Sequence, residues 1–108
     1  MCIRDRSGVV LIKNIDWRVP KCELGYFLDE AQEGKGIITV LVENTIAYCF
    51  DELKMKKIFL RISPDNLASK KIAEKTGFVK EGLLRKEFRV YNGELVDVEY
   101  YGRLESDD

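Results

Sequence analysis

The apolar positions of this chain change period several times, and each change marks an element. Gly8 to Asn14 (GVVLIKN) and Glu23 to Leu28 (ELGYFL) are short β-rich runs, connected by Asp16 to Lys21, which carries Trp17 and Pro20. They predict an antiparallel pair, with Trp17 packed on the sheet's end. From Gly36 to Leu53, the residues Ile38, Val42, Ile46, Cys49, Phe50 and Leu53 recur at steps of three and four, the spacing that lines one face of a helix. Lys57 to Ile62 (KIFLRI) predicts a buried strand with Ile58, Leu60 and Ile62 alternating toward the core. Ser63-Pro64-Asp65-Asn66 then offers turn chemistry and a polar N-cap for a second helix, which ends near Thr76 where Gly77 supplies a left-handed residue. Leu83 to Tyr91 and Glu94 to Leu104 predict two strands joined at Asn92-Gly93 by a type I′ turn, with Phe88 and Val90 facing Val96 and Val98. The predicted order is ββαβαββ, an α/β (α+β) domain.

Composition narrows the function. At 108 residues, with 45% apolar and 34% charged residues, the chain is long enough for one small folded domain and too apolar for a disordered tail. A net charge of −1, with both signs interspersed, gives no basic footprint for a nucleic-acid partner. No apolar run approaches the roughly 18 residues that span a bilayer, so no membrane partner is expected. Cys2, Cys22 and Cys49 form no paired spacing, and an odd count without a signal peptide predicts free thiols in a reducing, cytoplasmic setting. Histidine is absent, which removes Ser-His and Cys-His catalysis and histidine-ligated metals, and no metal is expected.

Two glycines stand one residue apart in EGKGI, directly before the first helix. Glycine costs about 1 kcal/mol against alanine in a helix, so their placement calls for a reason. Gly34-Lys35-Gly36 would leave successive backbone N–H groups without intrahelical acceptors, a nest that binds phosphate with help from the helix dipole. The alternative is a simple turn. The stretch is not a phosphate-binding Gly-Lys-Ser/Thr loop, and position 39, where a dinucleotide fingerprint needs a third glycine, is Thr39. At the start of the second helix, Asn66 and Ser69 stand three apart and share one face of its first turn. That pair reads either as an N-cap with its local partner or as part of a site.

Taken together, ELGYFLDE, EGKGI, NLASKKIAEKTGFVKEGLLR and YNGELVDVEYYGRL resemble the GNAT superfamily of N-acetyltransferases, in its RimJ/RimL-like, ribosomal-protein N-terminal branch. The resemblance runs from about Gly8 to Leu104 and implies a mixed, mostly antiparallel sheet. It also implies acetyl-CoA as co-substrate and a primary amine as acceptor, such as a protein N-terminal α-amine. Coenzyme A's pyrophosphate would then lie on the backbone amides of Glu33, Gly34, Lys35, Gly36, Ile37 and Ile38. Its pantetheine arm would run beside Phe27 and Leu28, where a backbone amide polarises the thioester. Asn66 and Ser69 would face the arm and the sulfur, Ser69 being the group that protonates or hydrogen-bonds the leaving thiolate. Tyr91, Tyr100 and Tyr101 are alternatives for that role. Glu23 is open between a base acting through water and an exposed strand carboxylate.

The loop departs from the family pattern Gln/Arg-x-x-Gly-x-Gly/Ala, since Glu33 and Ile38 occupy its ends and only Gly36 matches fully. A larger departure lies at the front, where the resemblance implies a strand and a helix pair that the chain lacks. Met1 to Ser7 (MCIRDRS) matches no family element and reads as an artefactual leader; residues 8–104 form the domain's C-terminal portion, and 105–108 a polar tail. The Gly8 to Asn14 edge is then expected to be unpaired and to favour self-association. The lysines from Lys54 to Lys57 and Lys70-Lys71 read as a solvated surface or as a seat for the cofactor's ribose phosphate. Two other functions stay open: a CoA-binding module without turnover, and an RNA-binding sheet, which lacks the aromatic strand expected of one.

Overall fold

The computed structural model describes residues 2–5, 8–28 and 37–107. Its elements are β1 (Cys2–Asp5), β2 (Gly8–Asp16), β3 (Lys21–Leu28), α1 (Ile37–Asp51), β4 (Lys57–Ile62), α2 (Leu67–Lys75), β5 (Val79–Arg89) and β6 (Leu95–Leu104), closed by a 3-10 turn at Glu105–Asp107. The strands form one sheet in the order β1-β2-β3-β4-β6-β5. Only β3 and β4 run parallel. The predicted ββαβαββ order is therefore present, with one strand added in front.

That added strand corrects the expectation of an unpaired edge at Gly8 to Asn14. Cys2–Asp5 pairs antiparallel with β2, from Cys2 opposite Leu11 to Asp5 opposite Gly8, so the β2 edge is covered. Four residues with two charges carry no strand signal of their own; the neighbouring edge supplies the hydrogen bonds.

Both helices pack on one sheet face. Val10 and Ile12 of β2, Cys22 and Leu24 of β3, Ile58, Leu60 and Ile62 of β4, and Tyr101 of β6 meet Val42, Ile46, Cys49 and Phe50 of α1 and Ile72 and Ala73 of α2. The period-2 alternation of strands and the three-to-four period of helices thus converge on one core. Cys22 and Cys49 are free thiols inside it. No helix among the described residues is long and apolar enough to cross a membrane.

Local signals set the ends of α2. The Asn66 side chain accepts the Ser69 N–H at 3.2 Å, a helix N-cap. At the other end, Gly77 (φ +86°) donates to Glu74 O and Phe78 N–H to Ala73 O, the paired bonds that close a helix on a left-handed glycine. The last hairpin differs from expectation. Gly93 has φ +91° but Asn92 does not take a positive φ, and Gly93 N–H donates to Val90 O. The turn is thus type I followed by a left-handed glycine, with Asn92 Oδ1 accepting the Glu94 N–H at 2.9 Å. Phe88 faces Val96 as expected, whereas Val98 faces Leu84 and Val90 lies outside the strand. The cause is an irregularity between Leu84 and Phe88, where Lys86 (φ 50°) turns its N–H onto Asp97 Oδ1 at 2.9 Å. Trp17 is 63% exposed and does not pack on the sheet's end.

One buried carboxylate ties α2 to the sheet. Glu99 of β6, 4% exposed, has Lys80 Nζ at 2.9 Å and Lys70 Nζ at 3.0 Å. The Lys70 contact is an ion pair without hydrogen-bond alignment, and that ammonium also donates to Pro64 O at 3.0 Å. The hydrogen bond from Lys80, then the ammonium of Lys70, holds the Glu99 carboxyl below its usual range.

Two outcomes follow from these contacts. Gly77→Ala forces a side chain into a left-handed backbone with Arg103 Nη1 3.3 Å from its Cβ, and is expected to lower the urea midpoint by about 1–2 kcal/mol of stability. Gly82→Ala, with open space and no positive φ, changes stability by less than about 1 kcal/mol. Because the Glu99 carboxyl is lowered in the folded state, its stabilisation is present above the ordinary glutamate value of about 4.3 and fades as pH falls through the lower, folded one. The stability gap between wild type and Glu99→Gln, measured by urea unfolding, should therefore be larger at neutral pH than in acid.

Candidate functional site

The parallel pair opens into a fork. Ladder pairs between β3 and β4 run from Lys21 opposite Lys57 to Glu23 opposite Phe59, and stop there, although β3 continues to Leu28 and β4 to Ile62. The strands keep their outer partners, β2 and β6, over that length. Their facing edges are therefore left with backbone N–H and C=O groups outside any ladder, and such groups need a partner from elsewhere. Each of the two strands is followed in the chain by a helix, α1 after β3 and α2 after β4, and the first amides of a helix lack intrahelical acceptors.

A cleft of about 180 Å³ occupies the fork. Leu24, Leu60 and Ile62 make its apolar wall, Asn66 and Ser69 border it from α2, and Phe27, Lys13 and Arg61 from β3, β2 and β4. The structure thus brings Phe27 together with Asn66 and Ser69, which lie about 40 positions further along the chain. Phe27 is 61% exposed, while Ser69 is buried. Leu28 ends β3 at the open end of the fork, and Ile37 begins α1. The Ile38 side chain goes into the core, which leaves its backbone for any ligand. Glu33, Gly34, Lys35 and Gly36 lie outside the described residues.

Two polar pins hold the fork, one on each face. On the helix face, the Tyr26 hydroxyl donates to Ser69 O at 2.7 Å. Burial pushes the Tyr26 phenol well above its usual range, partly offset by Ser69, so this group is a proton donor rather than a base. Sequence reasoning overlooked Tyr26. The alternation of ELGYFL, which puts it on the same face as Leu24, was the signal that could have found it.

On the other face, Glu23 is 2% exposed, which corrects the expectation of an exposed carboxylate. Its Oε2 accepts from Arg61 Nε at 2.9 Å, and its Oε1 from Arg61 Nη2 at 3.1 Å and Asn14 Nδ2 at 2.6 Å. Asn14 reaches it from a left-handed backbone (φ 52°) at the irregularity in β2. A carboxylate so occupied is a brace for Arg61, and the Glu23 hydrogen bond in turn raises the guanidinium further above its ordinary value.

The three tyrosines named from the sequence fall elsewhere. Tyr91 is fully exposed at the hairpin, Tyr101 is in the core, and Tyr100 stacks on Phe59 with centroids 5.2 Å apart. Lys21 Nζ stands 5.8 Å from the Phe59 ring and Lys57 Nζ 5.3 Å from the Tyr100 ring. The sheet therefore does carry neighbouring aromatics, but they face each other and two lysines rather than offering a free platform for bases. Lys57 also pairs with Glu81 at 2.7 Å, Lys56 with Glu105 at 2.9 Å and Lys70 with Glu99, so these three lysines are engaged within the chain.

The acetyltransferase (GNAT) domain profile matches residues 2–79 of the chain. The chain belongs to the GNAT acetyltransferase family. It is 44% identical over 85 residues to a probable N-acetyltransferase, YjcK, of Bacillus subtilis, covering 79% of this chain and 46% of that protein. It is 35% identical over 97 residues to the putative ribosomal N-acetyltransferase YdaF of the same organism, covering 90% of this chain and 52% of that one. A crystal structure of ribosomal-protein-S5-alanine acetyltransferase from Vibrio fischeri superposes with a TM-score of 0.86 at 32% identity, over 93% of this chain and 55% of that one. Relatives that are 30% identical include a spermidine N(1)-acetyltransferase of Vibrio cholerae and an L-amino acid N-acetyltransferase of Escherichia coli. This GNAT chain thus spans about half the length of the curated relatives it matches. The match from residue 2 onward also brings the first strand inside the family alignment.

Replacing Arg61 by Met would leave the buried Glu23 carboxylate without its two guanidinium hydrogen bonds, with only Lys13 at 4.0 Å as a cation. Stability is expected to fall by about 3 kcal/mol, toward the lower end for such pairs because the Arg61 side chain is 33% exposed. The double variant Glu23→Leu/Arg61→Met should recover most of that loss in the same urea titration.

Proposed function

We propose that this chain moves the acetyl group of acetyl-CoA to a primary amine, in the cytoplasm, with a protein N-terminal α-amine of the ribosomal-protein type as acceptor. The fork carries this reading. Two strand edges outside any ladder, each strand followed in the chain by a helix, suit a linear ligand that has amides along its length and phosphates at one end. Coenzyme A has that form.

The residues then divide the work. Backbone amides of Glu33, Gly34, Lys35, Gly36, Ile37 and Ile38 receive the pyrophosphate, glycine at 34 and 36 allowing close approach. The pantetheine arm lies along the β3 edge at Phe27 and Leu28, where a backbone N–H stabilises the oxyanion that forms as the amine attacks the thioester carbon. Asn66 holds the start of α2 in place, and Ser69 gives the departing thiolate a hydrogen bond or a proton, with Tyr26 close behind it. No covalent enzyme intermediate is needed, so positioning and charge stabilisation supply the rate.

Calorimetric titration with acetyl-CoA tests this first. Wild type is expected to bind in the micromolar range, and Gly36→Asp, which sets a carboxylate against the pyrophosphate, to lose binding. Ser69→Ala should keep most of the binding and slow thiol release about tenfold in an acetyl-transfer assay. A folded chain that ignores acetyl-CoA overturns the reading. Binding without transfer to any amine favours the CoA-holding module instead.

A further inference from the structure

Lys13 and Arg61, two cations over the one buried carboxylate of Glu23, set the sign of the cleft's charge on the face away from the helices. Among the described residues that line the cleft, the charged ones are Lys13 and Arg61, and both are cations. Lys13 comes from β2 and crosses over Gly25 of β3: a Cβ at position 25 would stand 3.3 Å from both Cε and Nζ of Lys13. The missing side chain is what lets this ammonium reach the mouth. Arg61 commits Nε and Nη2 to Glu23 and also lines the cleft. One carboxylate, its side chain 3% exposed beneath them, serves both cations, and Lys13 meets it at only 4.0 Å. Glu87 is the other carboxylate whose field reaches Arg61, and it does not line the cleft. Phe27, 61% exposed, adds an apolar wall.

We propose that this mouth selects an amine that carries a carboxylate close to it, with Lys13 and Arg61 as the selecting residues. The inference rests on the acetyltransferase reading above and deepens it. Two local cations repel the ammonium form of an acceptor and leave the neutral, nucleophilic amine favoured, while a carboxylate one or two residues away is drawn to them. A polyamine brings only further ammonium groups into the same field, and is disfavoured. The carboxylate has two sources, the α-carboxylate of a free amino acid or an acidic side chain near a peptide N-terminus.

Matched pairs of ligands separate these cases. Alanine against alaninamide, a Ser-Glu-Glu peptide against Ser-Lys-Lys (both amidated at the C-terminus), and spermidine would be titrated calorimetrically into the purified chain, with and without CoA. The carboxylate-bearing member of at least one pair should bind about tenfold more tightly than its partner and than spermidine. Preference in the first pair identifies a free amino acid, and in the second an acidic N-terminus. Lys13→Glu should abolish or reverse the preference, and Gly25→Ala, which displaces the ammonium without changing any charge, should reduce it. Equal binding within both pairs, tighter binding of spermidine, no binding of any acceptor, or a preference that survives in Lys13→Glu each overturns the proposal. Loss of CoA binding alone would instead sink the acetyltransferase reading, because the acceptor titrations without CoA still score the charge preference.

Discussion

The parting of β3 from β4 is the constraint on which the rest of the site depends. Parallel strands normally continue their ladder, and abandoning it leaves polar backbone edges that cost free energy unless something else meets them. Here the ladder stops at Glu23 and Phe59, and the residues just beyond are the ones that line the cleft. The break is held open by contacts that a continuous ladder would not need. Tyr26 reaches over the helix face to the backbone of α2, and Arg61 reaches back across the opposite face to Glu23, the last paired residue of β3. With the outer strands still paired on both sides, the fork cannot close by sliding without losing those partners as well.

The core explains why the fork is rigid enough to matter. Leu24, Leu60 and Ile62 border the cleft and also belong to the buried cluster under α1 and α2, so the walls of the site are continuous with the interior. Interiors are packed like organic crystals, and a wall of this kind keeps its spacing when a ligand is absent. The start of α2, where Asn66 and Ser69 line the cleft, adds the positive end of a helix to the electrostatics there.

Much of this was legible in the sequence, and the parts that were not share a physical cause. Lys57–Ile62 matches its predicted span, and the Asn66 cap and Gly77 stop act as read, because each depends on residues within a few positions of itself. The features missed depend on partners distant in sequence. Strand β1 exists through the β2 edge, the burial of Glu23 depends on Arg61 and Asn14, and the hairpin's register follows from Lys86 bonding to Asp97. The turn at Asn92-Gly93 shows a subtler limit: the same two residues serve a type I′ turn or a type I turn with a left-handed glycine, and the strands decide. Of the site, the sequence gathered Phe27, Asn66 and Ser69 only by resemblance. It missed Tyr26, whose role depends on where α2 crosses β3.

The state of the Glu23 carboxylate bears on how an amine would be made reactive here. A base must have a lone pair free and within reach, and Glu23 accepts three hydrogen bonds beneath a guanidinium. The surroundings offer another route. An acceptor amine entering the fork from the face of Lys13 and Arg61 would meet two cations, which disfavour added positive charge. Its ammonium form would then lose its proton more readily on entering from water, before any side chain accepts it. Under the proposed reaction, the pairing that disables Glu23 as a base is the same pairing that holds Arg61 where its field lowers the need for one.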